Sequence, residues 1–183
     1  NERKYSNIEL GSSSTKIKQV IVNNRLTYRS FFKFIKMHSI ASRLPTYYIL
    51  SNNDIFFDNT VQNIRKGTIH QKPSLYALLR YEFVHTNLKK CPIYGPTIDS
   101  QDTWIFHSNN IKYVNYDNMN ISLGIPTCDN SIAYRLYKQN FTIYNEPSMI
   151  RTYHNPKSTF RAYNINRKDK IIPGPYCFLE YNL

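Results

Sequence analysis

Four stretches of the sequence combine residue types that can do chemistry. The first is Ser51-Asn52-Asn53-Asp54, directly after the apolar run Tyr47-Tyr48-Ile49-Leu50. A carboxylate fixed at the end of a buried strand can give an oxygen ligand to a hard divalent cation, and open α/β sheets place ligands at such strand ends. Asn and Asp after a strand also make ordinary turns. The second stretch sets Asp102 beside Trp104, the only tryptophan. A ring face with a nearby carboxylate suits a sugar, and the same pattern also describes a core Trp preceded by a loop. The third, Leu123 to Asn130, shapes a Gly/Pro loop that leads into Asp129 and Asn130. Asp129 there is a candidate general base, or the N-cap of a helix. The fourth places His154, Lys157 and Arg161 close together. Imidazole can ligate a metal, and cations neutralise phosphate charge. A solvated basic loop would have the same composition. His38, His70, His85 and His107 lack such company and read as structural or surface residues.

These residues need elements to hold them. Ile17 to Val22 reads as a short strand after the flexible stretch Gly11 to Thr15. Phe31, Phe32, Phe34, Ile35 and Met37 recur at helical spacing, with Thr27 or Ser30 as cap and Pro45 as stop. Tyr47 to Leu50 reads as a buried strand, with Asp58 or Asn59 starting a further turn or short helix. Leu75 to Phe83 reads as one strand in which Arg80 and Glu82 alternate with apolar residues, and Arg80 is a candidate substrate contact. Thr103 to Phe106 and Phe141 to Tyr144 read as strands, and Ser131 to Gln139 as a helix capped by Asp129 or Asn130. The tail after Tyr163 shows no periodicity. Alternating strands and helices favour an α/β fold with helices on both faces of the sheet.

Composition sets the bounds. At 183 residues and 41% hydrophobic content the chain is a folded single domain. The net charge of +12 favours an anionic partner, without the dense basic tail or basic helix of a nucleic-acid binder. Cys91, Cys128 and Cys177 form no CxxC pair, which argues against a zinc site or a disulfide framework and fits a reducing, cytoplasmic setting. No apolar run is long enough for a transmembrane segment, and no signal peptide is visible.

The ordered set of motifs resembles a group of GT-A-fold glycosyltransferases encoded by large DNA viruses of algae, where they glycosylate the chlorella virus capsid protein, and by some microbes. The resembling residues are Arg25 to Tyr28 with Phe31-Phe32, Ser51 to Asp58, Asp102 to Phe106, and Cys128 to Asn130 with Ile132 to Tyr134. Asn145 to Ser148 follow, and then His154, Ser158, Arg161 and Tyr163. The resemblance spans about residues 20 to 163. It implies a single GT-A-like (Rossmann-like) domain with a mixed, mostly parallel sheet flanked by helices. A nucleotide-sugar part would cover about 1–90 and an acceptor part about 91–183. It also implies a UDP-linked sugar donor, Mn²⁺ or Mg²⁺, and a glycan or glycoprotein acceptor such as a viral capsid glycan, in the host cytoplasm if the protein is viral.

Residue by residue, the resemblance places Asn52-Asn53-Asp54 at the family's Asp-x-Asp motif, with Asn in place of the first acid. Asp54 and His154 would hold the metal. Arg25, Asn52, Asn53, Lys157 and Arg161 would meet the nucleotide and diphosphate. Asp102, Trp104, Arg80 and Asn130 would shape the sugar and acceptor pocket, with Asp102 close to the chemistry and Asp129 as base. The family's first strand is absent, compressed or outside this chain. Two other classes stay open: a carbohydrate-binding domain with a dead site, and a nucleic-acid-binding module that stacks bases on the many Tyr and Phe rings. A metal-dependent nuclease would need more clustered carboxylates.

Overall fold

The computed structural model describes residues 24–95, 97–155 and 171–182. The expected strand Ile17 to Val22, and the candidate residues Lys157 and Arg161, lie outside the described residues.

Helix α1 spans Tyr28–Ser42. Thr27 caps it, its side chain accepting from the Ser30 amide at 3.1 Å. Arg43 ends it in the left-handed conformation, two residues before Pro45. Strands β1 (Tyr47–Ser51) and β2 (Ile55–Phe57) follow, with the Asn52-Asn53-Asp54 turn between them. Asp58 caps a 3-10 helix over Asn59–Lys66. β3 is Ser74–Leu78, β4 is Tyr81–Glu82 and β5 is Thr103–His107. α2 covers Cys128–Tyr137, and β6 (Thr142–Tyr144) and β7 (Thr152–His154) complete the set.

The strands form two sheets, one in the order β1-β5-β3-β6 and one in the order β2-β7-β4. β1/β5, β3/β5 and β2/β7 are antiparallel, while β3/β6 and β4/β7 are parallel. The protein is therefore α/β with mixed sheets, but the described pairs are not mostly parallel as expected. No two neighbours in either sheet are consecutive in sequence, so every ladder joins distant parts of the chain and strand direction is not set by local turns.

Both faces of the larger sheet are covered, so its strands read as unbroken apolar runs. On one face Tyr48, Leu50, Leu75, Ala77, Trp104 and Phe106 pack against Tyr28, Phe31, Phe32 and Ile35 of α1 and Ile132, Ala133 and Leu136 of α2. On the other, Tyr76, Leu78 and Ile105 meet Ile64, Ile69 and Ile150. Both α-helices thus lie on one face, and the 3-10 helix with the loop around Ile150 covers the other. This corrects the expectation of helices on both faces.

The expected strand Leu75 to Phe83 is really two strands in different sheets. The break falls at Leu79 and Arg80, where the Leu79 amide donates to Asn145 Oδ1 at 2.9 Å instead of continuing a ladder. Asn145 is buried, donates from Nδ2 to Leu179 O at 3.1 Å, and accepts the Asn182 amide at its own carbonyl at 3.0 Å. One side chain and one carbonyl thereby join the sheet switch to the C-terminal tail. The described tail residues, 171–182, form no helix or strand, as the sequence suggests.

Candidate functional site

The β-ladders dictate which polar side chains meet. β1 pairs with β5 so that Ser51 faces Thr103, and the Asn52 amide donates to Asp102 O at 3.1 Å, one step past the strand end. Asn52 Nδ2 then donates to Asp102 Oδ1 at 2.7 Å. In the second sheet β7 is central. His154 faces Ile55 of β2 and Glu82 of β4, which sets it beside both Asp54 and Glu82.

The result is one continuous polar chain. Arg80 Nη1 pairs with Asp102 Oδ2 at 2.5 Å and Arg80 Nε with Glu82 Oε1 at 2.9 Å. Glu82 Oε2 meets His154 Nδ1 at 2.9 Å, and His154 Nε2 lies 3.4 Å from Asp54 Oδ2. Asn52, Asp102, Arg80, Glu82, His154 and Asp54 are thus linked in that order, although they lie far apart in sequence. Asp54 Oδ1 is buried without a hydrogen-bond partner. Buried polar atoms on Gln101, Thr103 and Trp104 also lack partners.

The electrostatics follow from burial and pairing. Burial works against the Arg80 cation, yet Asp102 and Glu82 outweigh it and hold its pKa above the ordinary value. Burial likewise opposes ionisation of Glu82, but its hydrogen bonds with His154 and Arg80 hold its pKa below the ordinary one. The Arg80 guanidinium also stacks 3.9 Å from the centre of the Tyr94 ring.

Asp129 lies in the first turn of α2. It is not the N-cap, because the helix starts earlier and Thr127 takes the cap position at a φ of 68° with no side-chain cap bond. Asp129 is partly buried as a residue, yet its carboxyl behaves as a buried group: desolvation pushes its pKa up to about 7, and the Asp102 charge adds to the rise. Hydrogen bonds from Tyr28, Cys128 and the Gln101 backbone pull the other way. Tyr28 Oη donates to Asp129 Oδ1 at 2.9 Å, and Cys128 Sγ lies 3.5 Å from the same oxygen. Burial and the neighbouring Asp129 push the Tyr28 hydroxyl pKa up as well.

Trp104, Asn130, Arg25 and Asn53 fall outside this chain of contacts. Trp104 is a core residue, 4% exposed and edge-on to Tyr28 at 5.5 Å, so it cannot offer a ring face to a ligand; covering the sheet on both sides buries all of β5. Asn130 is buried and holds the tail, with Nδ2 directed to Cys177 O at 3.4 Å and its carbonyl accepting the Cys177 amide at 3.0 Å. Arg25 and Asn53 are exposed, ahead of α1 and in the turn after β1. Arg80 braces Asp102 and Glu82 rather than reaching outward. Glu82 was not singled out from the sequence as a site residue. The available signal was its alternation with Arg80 in an otherwise apolar run.

The donor set can accommodate a divalent cation. With Nδ1–H donated to Glu82, the lone pair of Nε2 points toward the Asp54 carboxylate, and such a pair needs a positive charge between or on its members. A separation of 3.4 Å suits two donors bound to one ion at about 2.1 Å each. Among the described residues there is no group of three or more His, Cys, Asp and Glu that could hold a metal. Ligands from outside the protein would have to complete the coordination, as is usual for Mg²⁺.

Next to the Gln101 loop, a solvent-open groove of about 450 Å³ is lined by Thr97, Ile98, Asp99, Phe178 and Tyr181. Ile98 O accepts from both Gln101 Nε2 at 3.4 Å and the Leu179 amide at 3.1 Å, which ties the two walls together. No helix among the described residues is long and apolar enough to cross a membrane. Comparison with protein-family models, with curated proteins and with solved structures found no match to the chain.

Proposed function

We propose that the chain is a divalent-metal-dependent glycosyltransferase that moves a sugar from a nucleotide diphosphate, UDP by resemblance, onto a glycan or glycoprotein acceptor. The observation that carries this reading is the placement of His154 between Glu82 and Asp54, with Asp54 Oδ1 unpartnered. It supports a cation site of one carboxylate and one imidazole at the end of a buried strand. A cation bound there supplies neutralisation of the diphosphate charge.

The protein groups have separate tasks. Glu82 fixes the His154 ring, and Arg80 holds Glu82 and Asp102 in place. Asp102 holds Asn52, and with it the turn that carries Asp54. Asp129, with its carboxyl near neutrality, takes the acceptor proton. The acceptor oxygen forms a bond to the anomeric carbon as the bond from that carbon to the diphosphate oxygen breaks. The electron pair leaves with the nucleoside diphosphate, the proton passes to Asp129, and the configuration inverts. The aromatic groove with Asp99 suits the acceptor sugar.

The test is thermal stability with UDP, GDP, CMP and ADP, each with and without Mn²⁺. A nucleotide at 100 times its Kd should raise Tm by about 5–10 °C for a chain of this size. The expected result is a rise with UDP that requires Mn²⁺ and is lost in Asp54→Ala. No rise with any nucleotide, together with retained sugar binding, would move the reading to a non-catalytic carbohydrate-binding domain.

A further inference from the structure

We propose that the outer face of α1 docks onto an anionic lipid bilayer. The helix buries Tyr28, Phe31, Phe32 and Ile35 against the sheet and leaves a second apolar stripe in solvent. Phe34 is 53% exposed, Met37 63%, Ile40 68% and Leu44 68%. Phe34, Met37 and Ala41 recur at i, i+3 and i+7, the repeat of one helix face, Ile40 lies beside Met37, and Leu44 follows just past the helix C-cap. Large apolar side chains gathered on one surface mark an interaction site, whereas scattered ones do not.

Charge selects the occupant. Between residues 24 and 53 the chain carries Arg25, Arg29, Lys33, Lys36 and Arg43 and no Asp or Glu. Arg25, Lys33, Lys36 and Arg43 are exposed and Arg29 partly so. An apolar stripe flanked by cations and free of acids fits the boundary between headgroups and acyl chains of a negatively charged membrane. Nucleic acid would use the cations but gains little from Met37, Ile40 and Leu44. A second copy of this chain would set these cations against their own equivalents if the face paired with itself. The geometry thus describes a peripheral contact, with the helix lying along the surface and its buried side still facing the sheet. It does not depend on the transferase reading.

The test is flotation of the full chain with vesicles of phosphatidylcholine alone or mixed with phosphatidylserine. The expected result is binding to the mixed vesicles, weakened by high salt and reduced on the order of fivefold for each charge removed in Lys33→Gln and Lys36→Gln. Met37→Asp should abolish binding, and Phe34→Ser should weaken it. Lys33, Lys36 and Met37 are exposed, so melting temperatures of their variants should match the parent and separate lost docking from lost folding, whereas Phe34 also touches Tyr48 and its variant is compared at a temperature where it stays folded. Binding that ignores these variants, or no binding to the mixed vesicles at low salt, overturns the proposal. So does a dimer in sedimentation that Met37→Asp dissociates. RNA binding that depends on Lys33 and Lys36, with vesicles ignored, overturns it as well.

Discussion

Glu82 and His154 stand opposite each other across a parallel strand pair, and the Glu82 carboxylate holds the imidazole Nδ1 at 2.9 Å. This contact decides which ring nitrogen faces Asp54. Replacing Glu82 with Gln keeps the shape and removes the charge that orients and strengthens the ring as a ligand. Mn²⁺ affinity, read by calorimetry, should fall about 10–100-fold. Unchanged affinity would mean that His154 is not a ligand.

Arg80 and Asp102 form a mostly buried pair, with side chains 15% and 11% exposed. Arg80→Ala would strand Asp102 and free Glu82. The expected loss is about 3–5 kcal/mol in chemical denaturation, because a mostly buried carboxylate loses its cation. Arg80→Lys should recover only part of this, since an ammonium cannot present the fork that meets both Asp102 and Glu82.

Asp129→Asn separates activity from stability. Transfer should drop on the order of 10²–10⁴-fold as the base is lost. Stability should move the opposite way. The folded pKa of about 7 lies above the ordinary value of 3.8, so the folded chain holds more protons between those values and the native carboxyl loses stability as pH rises through that window. The Asn variant should therefore be more stable than the parent above pH 7, on the order of 1–3 kcal/mol, and equal to it below pH 4. Denaturation series at the two pH values check this sign.

Tyr28→Phe tests the same carboxyl from outside. The Tyr28 hydroxyl favours the Asp129 anion, so its removal raises that pKa further. The acid limb of the transfer rate against pH, expected near neutrality, should move to higher pH while the plateau rate stays close to the parent's. A fall in the plateau with no movement of the limb would assign Tyr28 a packing role only.

Much of this architecture is legible in the residues. Phe31, Phe32 and Ile35 with the Thr27 cap announce α1, and the apolar runs at Tyr47 and Thr103 announce two paired strands of the larger sheet, the edge strand β1 and the inner strand β5. Asp54, Asp102 and His154 stand out by type and context, and the ladders bring them into one chain of contacts. What the sequence hides is long-range. β2, β4 and β7 are two or three residues long and exist only through their pairing. The split at Leu79 depends on an Asn145 side chain 66 residues away. The burial of Trp104 follows from layers packed on both sides of β5, which alternation alone does not reveal.

Asn145 works as a splice. Its amide holds the chain where it leaves one sheet for the other, and also holds Leu179, 34 residues further on. Arg80 is the next residue after that junction. Removing or displacing the segment around Leu179 and Asn182 would therefore loosen a joint one peptide away from the guanidinium that braces Asp102 and Glu82. The segment around Leu179 is thus a structural part of that joint, while changes on the solvent side of α1 leave it alone.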